Sequence, residues 1–163
     1  MSHEYSNPCC FGCATGRGCE KAQVLAALAG EHGRPMPVRQ SKFIRPKKVY
    51  VAGPMRGRPY FNFPAFNAAA ARLRELGYVV FNPAERDTER HGTDVSAGNV
   101  KGDEKQAARE HGFSLRVALG EDLAWICAHA DAIALLPGWE ASKGARAEYY
   151  TALALGLEVM ELA

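Results

Sequence analysis

From Lys48 onward the chain alternates short apolar, β-branched runs with stretches of helical periodicity, the pattern of strands joined by crossover helices in a parallel sheet. Lys48-Val49-Tyr50-Val51-Ala52 reads as a first strand, stopped by Gly53-Pro54. Asn62 is an N-cap candidate and Pro64 suits the first turn of a helix that continues through Ala68 to Ala71 and reaches Leu76, with Gly77 as its stop. Tyr78 to Phe81 is a second strand closed by Asn82-Pro83. Ser114 to His129 forms a second helix, Ala132 to Leu136 a third strand, Gly144 to Leu155 a third helix and Glu158 to Leu162 a last strand. Residues 84–112 are charged, contain glycine and have almost no aliphatic side chains, which predicts a long loop or mobile excursion. That stretch follows the carboxyl end of a strand, the edge at which open parallel sheets bind ligands, so a lid or substrate contact is expected of it.

Together these elements predict an α/β fold: a small, doubly wound, flavodoxin-like parallel sheet of about four to five strands with helices on both faces. Composition agrees, since 163 residues that are 47% apolar and 23% charged supply about one domain's core. The most apolar stretch, Leu123 to Leu136, is broken by His129 and Asp131, and Met1 to Asn7 lacks the apolar core of a signal peptide. A cytoplasmic protein without membrane partners is therefore expected. The net charge of +2 offers no general electrostatic case for nucleic acid.

The charge is unevenly placed. Residues 1–48 carry eight basic and three acidic side chains, whereas 49–163 carry twelve and fifteen. The chain thus divides into a basic, Cys-rich extension, residues 1–46, and an α/β domain, residues 47–163. Cys9, Cys10, Cys13 and Cys19 lie in the extension, and Cys10-Phe11-Gly12-Cys13 has the spacing of a zinc knuckle without its second pair. A structural zinc on the four thiolates, with His3 as a substitute ligand, stands beside reduced thiols as the alternative. Glu20 to Ala29 reads as a short helix, and Cys127 on the second helix is expected in the core.

Three acids depart from the pattern around them. On the third helix Ala145, Tyr149, Ala152, Leu153 and Gly156 form an apolar stripe, and Glu148 stands on its flank. A glutamate there, near the carboxyl edge of the sheet, could act as nucleophile, general base or ribose ligand, or pair with an arginine. Asp122 interrupts the stripe of Leu115, Leu119 and Ile126 on the second helix. Asp131 opens the third strand, where a short acid also serves as a turn or cap. The turn Leu136 to Arg146 brings Ser142 and Gly144 to a helix amino terminus, which suits a phosphate, although Ser142 also reads as an ordinary N-cap. Ala52 to Phe61 combines glycines, arginines and aromatics able to stack a base and pair with an anion. There is no Walker A motif and no full dinucleotide fingerprint.

Taken together, Val49-Tyr50-Val51-Ala52-Gly53-Pro54-Met55, Asn82-Pro83, Ala130-Asp131-Ala132 and Ser142-Lys143-Gly144-Ala145-Arg146-Ala147-Glu148 resemble the nucleoside 2-deoxyribosyltransferase superfamily, and most closely its small phage and bacterial DUF4406 branch. The resemblance spans residues 48–162. It implies homo-oligomers whose neighbouring subunits help complete each site, and cleavage or transfer at the N-glycosidic bond of a 2-deoxynucleoside or its 5-monophosphate. Glu148 matches the family's nucleophile, Tyr50 the tyrosine that orients it, and Asp131 an acid that assists at the base. Ser142 matches the serine that holds the 5-phosphate in nucleotide-hydrolysing members. Gly53, Met55 and Arg56 match the loop on the base side of the pocket, and Asn82, Gly144 and Asp122 complete the candidate substrate-binding set. The segment from Asp131 to Glu148 is shorter than in the transferases, and the usual acid before the glutamate motif is replaced by Ser and Lys, which tilts the expectation toward monophosphates. No cofactor is required for such chemistry. Two other classes fit the same residues: a non-catalytic nucleotide-binding or sensing module, and an interaction scaffold that uses the amino-terminal arm.

Overall fold

A computed structural model describes residues 45–163. The four expected strands are present as β1 (Lys48–Ala52), β2 (Val79–Phe81), β3 (Ala132–Leu135) and β4 (Glu158–Glu161), all parallel and ordered β2-β1-β3-β4. Five α-helices accompany them among the described residues: α1 (Phe63–Glu75), α2 (Pro83–His91), α3 (Glu104–His111), α4 (Leu115–His129) and α5 (Lys143–Ala154). This layout is compatible with a flavodoxin-like arrangement.

The central strands β1 and β3 are buried along almost their whole length, because alternate side chains enter two different cores. Val49, Val51, Ala132 and Ala134 pack on the face that carries Phe63, Phe66, Ala69 and Leu73 of α1. Tyr50, Ala52, Ile133 and Leu135 pack on the other, against Ile126 of α4 and Ala145 and Ala152 of α5. The helix boundaries follow their punctuation: Asn62 precedes α1, and Gly77 after it takes the left-handed conformation with φ +88°. Asn62 caps α1 without a side-chain bond and itself has a positive φ of 60°, as do Tyr60 and Phe61 before it.

Residues 84–112 depart from the expected loop. Much of the stretch is helical, and its order comes from polar groups satisfied locally together with a few buried aliphatic side chains. Asn82 accepts from the Ala84 N–H to start α2, Asp103 accepts from the Lys105 N–H to start α3, and Gly92 and Gly112 end the two helices at positive φ. Between them the buried Asn99 closes a ring with Asp103: its Nδ2 donates to the Asp103 carbonyl at 2.8 Å and its Oδ1 accepts from the Asp103 N–H at 2.7 Å. Val95 and Ala107 anchor the segment in the α1-side core. Cys127 also departs from expectation, being exposed on the outer side of α4.

Candidate functional site

A cleft opens at the carboxyl edge of the sheet, and its volume is about 600 Å³ with the open mouth included. Gly53, directly after β1, forms part of its wall; a Cβ there would stand 2.8 Å from the Leu136 side chain, so glycine lets the ends of β1 and β3 approach. Ser142, Gly144, Ala145 and Glu148 enter from α5, Ala118, Leu119 and Asp122 from α4, and Asp87 from α2. Phe61, Phe63, Val95 and Phe113 supply an apolar wall in which the Phe61 ring lies 6.2 Å from those of both Phe63 and Phe113.

At the inner end of the cleft the Tyr50 hydroxyl donates to Glu148 Oε1 at 3.1 Å. Glu148 is buried because α5 meets the sheet through small residues: Ala145, Glu148 and Ala152 share its inward face, while Leu153, expected on the stripe, is exposed. Burial and the neighbouring Asp122 raise the Glu148 pKa to about 8, against the Tyr50 hydrogen bond, which favours the carboxylate. Burial and Asp87 raise Asp122 to about 7, opposed by the nearby polar hydroxyl of Tyr50. Asp87 is raised to about 6 by burial, although it pairs with Arg90 at 2.9 Å. Tyr50, wholly buried and facing two carboxyl groups, is pushed well above its ordinary value. Three carboxyl groups and a phenol thus share one poorly solvated space, in which full ionisation of the acids is opposed by desolvation and mutual repulsion.

The tertiary structure gathers most of the expected residues here: Glu148, Tyr50 and Asp122 at the inner end, and Gly53, Met55, Arg56, Ser142 and Gly144 toward the mouth. Ser142 Oγ accepts from the Ala145 N–H at 3.3 Å, so it caps α5 as well as lining the cleft. Two expected residues lie elsewhere. Asp131 stands at the amino end of β3, the opposite edge of the sheet, where it accepts from the Lys48 N–H at 2.8 Å and from Arg45 at 2.7 Å. These contacts hold its pKa below the usual carboxylate range, the reverse of what a proton donor at neutral pH requires. Asn82 does not line the cleft; its amide is occupied by the Ala84 N–H and by Asn67 Oδ1. Cys9, Cys10, Cys13 and Cys19, with the zinc expectation and the short helix at 20–29, fall outside the described residues.

Sequence reasoning pointed to Phe61 in the loop after β1 but missed Asp87 and the rest of the aromatic wall, Phe63 and Phe113. The signals for α2 are present in Asn82-Pro83 and Gly92, a cap, a first-turn proline and a left-handed stop, but without an apolar stripe Asn82-Pro83 reads only as the end of a strand.

The family model DUF4406, a domain of unknown function, matches residues 47–161. The chain belongs to the DUF4406 family. Its matched region runs from just before β1 to the end of β4 and so holds every cleft residue named above. No curated protein and no solved structure matches this DUF4406 chain. Among the described residues no helix is long and apolar enough to cross a membrane.

Proposed function

We propose that this DUF4406 protein cleaves or transfers at the N-glycosidic bond of a 2-deoxynucleotide, with Glu148 as nucleophile and Asp122 as proton donor. The observation that carries the reading is the buried Tyr50–Glu148 hydrogen bond beside a second carboxyl group of raised pKa, at the inner end of a cleft with an apolar wall. The resemblance to nucleoside 2-deoxyribosyltransferases supports it independently, and the acid assigned there to Asp131 is assigned here to Asp122.

Breaking the bond between C1′ and the base nitrogen leaves positive charge on the sugar and negative charge on the base. Glu148 as carboxylate attacks or stabilises C1′, while Asp122 delivers a proton to the departing base, the division of labour found in retaining glycosidases. Water on the glycosyl intermediate completes hydrolysis; a second base completes transfer. The coupled pair must then hold one proton in total. Below about pH 7 both acids keep their protons and no nucleophile is present, and above about pH 8 neither holds one. Tyr50, donating to Glu148, offsets part of the burial that makes Glu148 hold a proton to higher pH than Asp122, so the reactive form, with Glu148 as carboxylate and Asp122 protonated, is the minor arrangement of the singly protonated pair. The apolar wall of Phe61 and Phe113 suits the face of a base, and Ser142 suits the 5-phosphate.

The test is base release from a panel of deoxynucleoside and ribonucleoside monophosphates, with and without a second free base, followed by chromatography. Release or exchange that disappears in Glu148→Gln supports the reading. Saturable binding without release would overturn it in favour of a nucleotide-binding module.

A further inference from the structure

Asp87 lines the cleft but has no task in the glycosidic scheme. It projects from α2, and His91, one turn further along the same helix face, lies with its ring 6.2 Å from that of Phe113. Asp87 therefore stands beside the aromatic wall. Asp122 adjoins it: the charge of Asp87 raises Asp122, that of Asp122 raises Glu148, and Asp87 is not among the groups that shift Glu148, an order that sets Asp122 between the other two. The Asp87 carboxyl is itself fixed in place. Its Oδ1 accepts from Arg90 at 2.9 Å, and Arg90 donates in turn to Glu121 at 2.5 Å. No side chain or backbone amide among the described residues donates to its Oδ2, although the side chain is only 8% exposed. With its pKa raised to about 6, the group is a carboxylate at neutral pH, an acceptor with one unfilled oxygen. A ligand that displaces water from the cleft must satisfy that oxygen or leave it unpaired at a cost.

We infer that Asp87 selects the base: the cleft takes a base whose edge remote from the glycosidic bond carries an amino group, cytosine or adenine, over its oxo counterpart, uracil or hypoxanthine. The inference rests on the glycosidic reading for its orientation. With C1′ at Glu148 and the departing base beside Asp122, a base lying on Phe61 and Phe113 turns its far edge toward Asp87. An amino group there donates to Oδ2, whereas an oxo group sets a second acceptor against a buried carboxylate. Such a site discriminates strongly, because the wrong partner leaves a desolvated polar group unmet.

The experiment measures kcat/KM of the full chain at neutral pH for deoxycytidine against deoxyuridine monophosphate, and for deoxyadenosine against deoxyinosine monophosphate. In whichever pair is turned over, the amino member should exceed the oxo member by about 10 to 100-fold. Asp87→Asn keeps the shape and supplies an amide donor, so it should bring that ratio to about one or invert it; Asp87→Ala should equalise the two members without inverting them. A purely structural role would lower both members alike and leave the ratio unmoved. Equal rates in the unsubstituted protein, an oxo preference, or a ratio that survives both substitutions would overturn the inference and leave the glycosidic reading standing. Calorimetry of the same nucleotides on the unsubstituted protein and on Asp87→Asn keeps the two failures apart. An amino preference in binding that Asp87→Asn removes, without base release by the unsubstituted protein, would sink the glycosidic reading and retain the selection by Asp87.

Discussion

Glu148 is the residue on which the chemistry turns, and its environment makes specific demands. Replacing it with Gln should lower base release by at least about 10³-fold while the fold persists, as circular dichroism and the melting transition would verify. Tyr50→Phe removes the donor at 3.1 Å that favours the Glu148 carboxylate. The acid limb of the pH–rate profile, which reports formation of that carboxylate, should therefore move to higher pH, and an unmoved limb would refute the orienting role. In the unsubstituted protein kcat/KM should peak between about pH 7 and 8, falling on the acid side as the coupled pair takes up its second proton and on the alkaline side as it loses its last. Asp122→Asn should cost about 10² to 10⁴-fold and abolish the alkaline limb. Asp131→Asn is the contrasting case. It should leave turnover unchanged and weaken the fold by about 1 kcal/mol, since it loosens the Lys48 N–H contact at the far edge of the sheet. Its folded pKa is depressed, so this contribution is present above the unfolded value of about 4 and fades as pH falls below it, which acid unfolding of the two proteins would reveal.

Among the elements, the segment from α2 to α3 is the one whose order sequence patterning concealed. It is held over the cleft by backbone bonds to the loop after β1: the Gly57 N–H donates to the Gly102 carbonyl and the Tyr60 N–H to the Asn99 carbonyl, each at 3.0 Å. Gly102 lies so close to that loop that a Cβ would stand 2.2 Å from the Arg58 carbonyl oxygen. Gly102→Ala should therefore separate the two strips of chain, raising amide hydrogen exchange at residues 57–60 and 99–103 and increasing KM more than it lowers kcat. Unchanged exchange would show that the contact does not organise the cleft. Polar rings such as Asn99 with Asp103 have no periodicity, and for that reason a pattern of apolar positions reads them as loop. The sheet elements are different. Each of β1 to β4 and each of α1, α4 and α5 was legible within a residue or two, because alternation, periodicity and terminal glycines all register in the local sequence.

At the scale of the whole molecule, gathering three acids inside one domain has a cost that varies with pH. Glu148 and Asp122 have folded pKa values raised above their unfolded ones, so the folded state holds those protons longer. The stability they contribute is full below about pH 4 and is lost as pH rises toward 8. Glu148→Gln should accordingly be more stable than the unsubstituted protein at pH 8, by about 1 to 3 kcal/mol, with the gap closing near pH 5 in parallel denaturant titrations. Equal stability at both pH values would show that Glu148 is not desolvated. The strands, their alternation with helices, the position of Glu148 beside an inward helical stripe and the glycine turns at the carboxyl edge are all legible in the chain, since each follows from spacing along one element. Which acids meet depends instead on how the elements pack. Asp122 and Asp131 are nine residues apart and equally anomalous as letters, but α4 carries the first to the carboxyl edge and β3 begins with the second at the amino edge. Asp87 joins them from a helix that carries no apolar signature. Proximity between elements is set by sheet order and by the depth at which each helix packs, and neither is written in the periodicity of any single segment.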